Sequence, residues 1–393
     1  MVATPPDCKH QDNLRVLHLF RSPMGGLFRH VRDLASGQSQ RGLQVGIACD
    51  ARTGGDFAEI TLEALEPDCS LGIYRIPVSR KPGWSDLKAI RLLSRVCKKN
   101  SPDILHGHGA KGGAYARLLA SRLGVKAVCT PHGGSLHYSS ASLSGSLYLS
   151  AERMLKRRTD GMIFESEFAQ QAYLEKVGRA SFPSCVIHNG LYDSEFAALT
   201  QDTRRYDFVF VGEMRKLKGI DVLLDALALV SRQRIVTLLM AGSGRDETRL
   251  KNRIKELGLK EAITLSPPVY PATKAMVQGA CVVAPSLAES FPYLVLETIA
   301  AGVPILTTRV GGIPEIFGPY AHRLLPPGDA DSLARAMLKV LEDPAAAHRD
   351  AETLLRHAKS QLRVSQMVRA TIDFYERITG FQKSTARQSE RNP

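Results

Sequence analysis

No apolar run in this 393-residue chain approaches the roughly 18–20 residues needed to span a bilayer, which speaks against an integral membrane helix. The opening stretch MVATPPDCKHQDN is polar and has no apolar core of the kind a secretory signal carries. Seven cysteines stand apart at 8, 49, 69, 97, 129, 185 and 281, with no Cys-x-x-Cys pair. An odd, scattered set favours reduced thiols over a disulfide framework or a structural zinc. Together these absences lead to the expectation of a cytoplasmic protein. Aromatic residues make up only 6 % of the chain and never interleave with basic residues as they do in single-strand nucleic-acid binders, so a nucleic-acid partner is not expected.

Acidic residues are also in short supply, 39 against 52 lysines and arginines, giving a net charge of +13 and a pI near 9.5. The excess is concentrated. From Arg75 to Thr130, twelve basic residues face only Asp86 and Asp103. Within that stretch, SDLKAIRLLSRVCKKN reads as an amphipathic helix, with Leu87, Ile90, Leu93 and Val96 as its apolar stripe and Lys88, Arg91, Arg95, Lys98 and Lys99 on the rest. Such a face suits anionic lipid headgroups, at about 1 kcal/mol per nearby cation, or an ordinary solvated surface.

What is present is globular material for two cores, 44 % hydrophobic and 23 % charged. Short apolar runs alternate with helical patterns throughout. The candidate strands are 14–20, 43–49, 103–108, 125–130, 161–166 and 185–190, then 207–212, 235–242, 261–267, 281–286 and 303–308. Several lack polar alternation, as parallel strands covered on both faces do, so two doubly wound parallel-sheet α/β domains are expected. The expected organisation is a disordered 1–13, a first domain 14–188, a polar linker 189–206, a second domain 207–365, a helix 366–380 returning to the first domain, and a disordered tail 381–393.

Ligands of such sheets bind beyond the carboxyl ends of the strands. The most informative strand end is APSLAESFPYLVLETIAAGVPILTTRVGGIPE, residues 284–315. Glu289 lies in a loop, and a helix starting near Phe291 carries Glu297. The unpaired backbone N–H groups of that helix start suit a diphosphate, and a carboxylate is a good acceptor for vicinal sugar hydroxyls. As chemistry this is a nucleotide-sugar site.

The same stretch resembles the Glu-x7-Glu region of retaining glycosyltransferases of the GT-B fold, family four, and the resemblance extends over roughly residues 14–380. It implies two Rossmann-like domains facing across a cleft, the donor on the C-terminal one and the acceptor on the N-terminal one. It assigns Glu289 to the donor sugar near the reacting face and Glu297 to the ribose hydroxyls, with Ser290, Phe291, Pro292, Tyr293 and Leu294 around the diphosphate. In FVFVGEMRKLKGIDVLLDAL, Lys218-Gly219 matches the family's diphosphate-clamping Lys-Gly, whereas the usual arginine position holds Glu213. Either Arg215 substitutes or Glu213 turns away. On the acceptor side, Gly25-Gly26 open a helix beneath the donor phosphates, as donor-binding residues, and His132 matches the histidine that contacts the donor sugar; His132 and Glu289 form the implied catalytic set. His108 is a further candidate for the cleft wall, as is Gly242, although AGSGRDE lacks the third glycine of a dinucleotide fingerprint. His106 is expected to pack at a strand end, VGGIPE is assigned no chemistry, and a His-x-His metal pair is not expected.

The resemblance implies a retaining hexosyltransferase with no cofactor and no required metal, using a nucleotide-diphosphate sugar as co-substrate. Joined to the basic stretch, it implies a lipid-linked glycan acceptor in exopolysaccharide or lipopolysaccharide synthesis, and a peripheral position on the inner face of the plasma membrane. Two alternatives stand beside it: a GT-B sugar-nucleotide epimerase, and a non-catalytic nucleotide-sugar-binding partner subunit, which Glu213 favours.

Overall fold

The computed structural model describes residues 13–80, 82–133, 143–199 and 205–381. Apart from Asn13 and Phe381, the two ends expected to be disordered lie outside the described residues. Two all-parallel sheets carry the fold. The N-terminal sheet comprises β1 (Arg15–Leu19), β2 (Gln44–Asp50), β3 (Gly72–Ile76), β4 (Ile104–His108), β5 (Lys126–Thr130), β6 (Gly161–Phe164) and β7 (Ser184–Val186), in the spatial order 3-2-1-4-5-6-7. The C-terminal sheet comprises β8 (Tyr206–Val211), β9 (Leu238–Ala241), β10 (Ile263–Ser266), β11 (Gly279–Ala284) and β12 (Ile305–Thr307), in the order 10-9-8-11-12. In each sheet the order reverses beside the first strand, between β1 and β4 and between β8 and β11, and a doubly wound sheet opens its ligand crevice at that switch point.

β3 is the strand that the apolar-run reading lacks. Four of its five residues are only half-buried, because it is an edge strand, and an edge strand keeps too little continuous apolar character to register as a buried run. The central strands go the other way. All five residues of β4 are buried, including His106 and His108, and His18 of β1 is fully buried as well.

Helices α1 (Gly25–Ser39), α2 (Gly55–Leu65), α3 (Ser85–Asn100), α4 (Gly109–Leu123), α5 (Leu143–Leu155) and α6 (Glu167–Lys176) belong to the first sheet. In the second, α7 (Ile220–Ser231) follows β8, α8 (Glu247–Glu256) follows β9, α9 (Thr273–Met276) precedes β11, and α10 (Tyr293–Ala300) follows it. Helices α11 (Ile313–Phe317), α12 (Ala330–Glu342) and α13 (Pro344–Gln361) complete that half. The last helix, α14 (Val364–Thr379), packs on α1. Gly37 makes room for it, since a Cβ there would lie 2.5 Å from the Val368 side chain. Phe374 and Tyr375, fully buried, complete the N-terminal core.

The chain therefore crosses between domains twice, and the crossings are bonded to each other: Leu191 N donates to Leu362 O at 2.9 Å and Val364 N to Leu191 O at 2.9 Å. Within 189–206 the structure is more than a tether. Leu191 and Phe196 are buried in a core with Leu296, Ile316 and Leu354. In α3 the buried stripe is Ala89, Leu93, Cys97 and Asn100. Leu87 is 52 % exposed beside Trp84, which is 88 % exposed, so the stripe lies a residue or so away from the one the spacing of leucines suggested.

Candidate active site

Four loops leave the carboxyl ends of the switch-point strands: Phe20–Met24 after β1, the start of α4 after β4, Gly212–Gly219 after β8 and Pro285–Pro292 after β11. They bring most of the sequence-predicted residues together. Gly25 has φ +67, and a Cβ on Gly26 would touch the Tyr293 ring at 3.3 Å, so the first turns of α1 and α10 meet across the domains. Neither first turn carries an acidic side chain, leaving N–H groups that favour an anion. Helix α10 begins at Tyr293 rather than Phe291, since Pro292 is extended, with ψ 124. Phe291 is buried and stacks on His188 at 4.9 Å and 10°. Leu294 packs against the core around Val282 and Val303.

Glu289 is held from two sides: Lys218 Nζ reaches its Oε1 at 2.6 Å, and Ser286 Oγ donates to the same oxygen at 2.7 Å. The Lys-Gly pair has a backbone reason. Gly219 adopts φ +72, and a Cβ there would fall 1.8 Å from Pro285 O; only glycine lets the turn after Lys218 approach the loop after β11. Arg215 pairs with its neighbour Glu213 at 3.1 Å. The odd glutamate thus neutralises the nearby arginine in this arrangement.

Glu297 is engaged from the other domain. Arg29 of α1 hydrogen-bonds it through Nη1, grips both oxygens of Glu195 through Nη2 at 2.5 and 2.7 Å, and lies 5.0 Å from the Tyr293 ring centroid. Its Nε is 3.4 Å from Asp33. Burial alone would lower the Arg29 guanidinium pKa, but Glu297, Asp33 and Glu195 together raise it. Burial raises the Glu297 carboxyl above its ordinary range despite Arg29.

Beneath the cleft lies a cluster of histidines. His18 Nε2 bonds Gln38 Oε1 at 2.9 Å and His18 Nδ1 bonds His108 Nε2 at 3.0 Å; His108 Nδ1 in turn bonds His132 Nε2 at 3.2 Å. His106 is satisfied separately, by Tyr375 OH at 2.6 Å and Thr130 Oγ1 at 2.9 Å, which makes it an internal bonding residue rather than one packed at a strand end. His132 has φ +50, a left-handed backbone uncommon outside glycine and of the kind found where surroundings dictate geometry. Burial drives the whole set neutral: His18 is pushed down to about 4 and His30 to about 3, and His108 and His132 are also lowered.

Gly242 follows β9 with a hypothetical Cβ 1.9 Å from Gly212 O, so it is packed against the β8 exit loop. The sequence reading did not anticipate the bonds that join the domains. Ser290 Oγ donates to buried Glu165, and Asn189 Nδ2 to Phe291 O at 3.0 Å. Glu315, in the stretch assigned no chemistry, accepts from Glu167 N at 2.8 Å, Phe168 N at 3.0 Å and His188 Nε2 at 2.8 Å. Gly312 N donates to Ser290 O at 2.6 Å, so this loop braces the one bearing Glu289. For Arg29 the available signal was its place one turn after Gly26 on a helix already implicated. The chain's single Asp-x-Asp string, Asp329-Ala330-Asp331, caps α12, with Asp329 accepting from Ser332 N and Oγ at 2.8 and 2.6 Å.

Two family models match the chain in tandem. Glycosyltransferase Family 4 covers residues 24–195, and Glycosyl transferases group 1 covers residues 192–354. A glycogen synthase of Mycobacterium tuberculosis is 27 % identical over 94 % of this chain and 93 % of its own length. A D-inositol 3-phosphate glycosyltransferase of Pseudarthrobacter chlorophenolicus is 27 % identical over 84 % and 87 %. Among solved structures, Anabaena HepE in complex with UDP-glucose superposes with a TM-score of 0.79 at 19 % identity, covering 93 % of this chain and all of that one.

Proposed function

Because the chain belongs to the group 1 glycosyltransferases of the GT-B fold, we propose that it moves a sugar from a nucleoside-diphosphate donor to a hydroxyl acceptor with retention at the anomeric carbon. The observation that carries this reading is the loop from Ser286 to Tyr293. It holds Glu289 against Lys218 and ends in an anion-favouring helix start facing α1. Charge develops on the leaving diphosphate, and fixed donors aimed there stabilise it. Lys218 and the N–H groups at Phe291–Tyr293 supply them, with no divalent metal needed for transfer. Glu289 and His132 bracket the sugar, and Glu297 receives the ribose hydroxyls. The departing phosphate takes the acceptor proton, so the spacing rule for glycosidase carboxylates does not apply to this pair. That the Anabaena neighbour was solved with UDP-glucose supports a nucleotide-sugar donor.

The acceptor proposed is a lipid-linked glycan met at an anionic membrane surface. The support is α3, where Lys88, Arg91, Arg95, Lys98 and Lys99 are all exposed next to bare Trp84 and Leu87. No helix among the described residues is long and apolar enough to cross a membrane, so contact would be peripheral.

The test is thermal stabilisation by a panel of UDP-, GDP- and ADP-sugars. At 100 times Kd a native-state ligand adds about 2.7 kcal/mol. One nucleotide class should raise Tm, Glu297→Ala should abolish the rise, and slow release of nucleoside diphosphate should accompany it. Stabilisation without release, even with acceptor glycolipid, would instead identify a binding subunit, the reading that the Glu213–Arg215 pair favours. Interconversion of the donor sugar without transfer would identify an epimerase.

A further inference from the structure

The histidine cluster exceeds what sugar binding uses, and its hydrogen bonds decide where its lone pairs point. Asn189 donates its amide N–H to Phe291 O, which leaves its Oδ1 as acceptor for His30 Nδ1–H at 2.9 Å. His30 is therefore the Nδ1–H tautomer. Its Nε2 lone pair is buried and has no hydrogen-bond partner. Gln38 Nε2 is 3.4 Å from Tyr375 OH, so its Oε1 accepts from His18 Nε2–H and His18 Nδ1 accepts from His108 Nε2–H. That leaves a lone pair on His108 Nδ1, facing His132 Nε2 at 3.2 Å.

We propose that His30, His108 and His132 form a three-histidine site for a divalent transition-metal ion, zinc or cobalt, at the floor of the interdomain cleft. One nitrogen from each residue lies within 4.8 Å of the others. A tetrahedral ion about 2.05 Å from each nitrogen holds those nitrogens about 3.3 Å apart and the ring centroids about 5.2 Å apart. The observed ring separations are 4.7 Å for His30–His132, 5.4 Å for His108–His132 and 5.5 Å for His30–His108. The overlapping set His18, His106 and His108 fits less well. Its His106–His108 rings are only 4.0 Å apart, and both nitrogens of His18 and of His106 already have partners.

The surroundings are those a metal histidine needs. His30 and His108 each hand their second N–H to a fixed acceptor, which sets the tautomer and ring orientation. His132, next to the cleft, is largely but not fully buried, which gives the ion a way in and leaves its fourth position to water. Occupancy takes His132 away from the donor sugar, so the ion acts as a competing inhibitor rather than a cofactor. That last step rests on the proposed donor role of His132; the binding itself does not.

The experiment is a titration of chelator-treated protein with Co²⁺, followed by displacement with Zn²⁺. The expected result is one equivalent bound, with the intense visible absorption of four-coordinate cobalt, bleached by zinc. His30→Ala and His132→Gln should each weaken binding at least about 10-fold, whereas His322→Ala, exposed and elsewhere, should leave it unchanged. Failure of the unmodified protein to bind one equivalent, a pale six-coordinate spectrum, or full retention in His30→Ala would overturn the site. A tetrahedral cobalt site whose occupancy leaves nucleotide-sugar stabilisation untouched would uphold the site and refute the donor contact of His132 instead.

Discussion

Replacing Arg29 by methionine removes the cation that hydrogen-bonds Glu297 while keeping most of the side chain's length. Three carboxylates lose a partner, unequally. Asp33 keeps Arg32 at 2.7–2.8 Å, and Glu195 keeps the Tyr192 N–H at 2.9 Å with a third of its side chain exposed. Glu297 has no other hydrogen-bond partner among the described residues, and its side chain is only 17 % exposed. Deleting one member of a buried pair costs about 3–5 kcal/mol, and the residual exposure places this case near about 3 kcal/mol. On a domain of this size that is a fall of roughly 6–12 °C in Tm. The pH dependence has a definite sign. Burial raises the Glu297 carboxyl above its ordinary value of 4.5, and loss of Arg29 raises it further. A carboxyl raised in the folded state binds protons that the unfolded chain has shed, so stability falls as pH rises from the ordinary value through the folded one. The Arg29→Met deficit should therefore be small in acid and reach its full size towards neutral pH. Glu297→Gln removes the charge, so the double variant should recover at least about 1 kcal/mol relative to additivity. Scanning fluorimetry of the four proteins across the pH range measures this. An additive cycle, or a deficit flat with pH, would mean that Glu297 simply enters water when Arg29 is gone, and the cross-domain clamp would be refuted.

Gly219→Ala should cost about 3 kcal/mol or more, because φ +72 and a contact of 1.8 Å with Pro285 O add strain to collision; a Tm within a degree of the parent would refute the close approach. For Glu315, burial works to raise the carboxyl, but His188 and the Glu167 and Phe168 N–H groups outweigh it and hold it below 4.5. Its stabilisation is therefore complete above that value and lost as pH falls through the lower folded one. Glu315→Gln should cost about 1.5 kcal/mol at neutral pH, with the two Tm curves converging in acid. Replacing Lys88, Arg91 and Arg95 with alanine should weaken cosedimentation with phosphatidylserine vesicles about 100-fold, at about 1 kcal/mol per charge, with little change on neutral vesicles; equal weakening on both would point to lost apolar contact instead.

The parallel sheets were legible because their strands announce themselves chemically. Runs such as FVFVG and CVVAP have no solvent face to encode. β3 was not legible for the opposite reason, since Ile73, Tyr74 and Arg75 sit half-buried at an edge. Glu289 and Glu297 could be singled out because they sit at a strand end and on the helix that starts beside it, and Lys218 because its Lys-Gly pair resembles the family's diphosphate clamp. The partners of those residues could not. Arg29 reaches Glu297 across 268 positions, and Glu315 reaches His188 across 127. Nothing in the local pattern of an arginine on an amphipathic helix distinguishes a domain clamp from a solvated charge. The same holds for His18, which looks like an interruption in an apolar strand until Gln38 and His108 are in place.

The two acids of the site differ in what releasing them requires, and this bears on how the domains move. Glu289 is held by Lys218 of its own domain, so on the proposed reading an arriving diphosphate draws Lys218 away without touching the link between the halves. Glu297 is held by Arg29 of the other domain, and the ribose hydroxyls of the proposed donor would reach it only by taking an interdomain bond apart. Arg29 is not stranded by that exchange. It keeps two hydrogen bonds to Glu195, which lies on the crossing segment rather than on α10, together with its proximity to Asp33. The guanidinium therefore stays fixed at the cleft as a cation while the α10 side is freed. On the proposed reading, nucleotide binding converts a direct clamp between α1 and α10 into contacts made through the donor, with Arg29 still fixed at the cleft to help hold them.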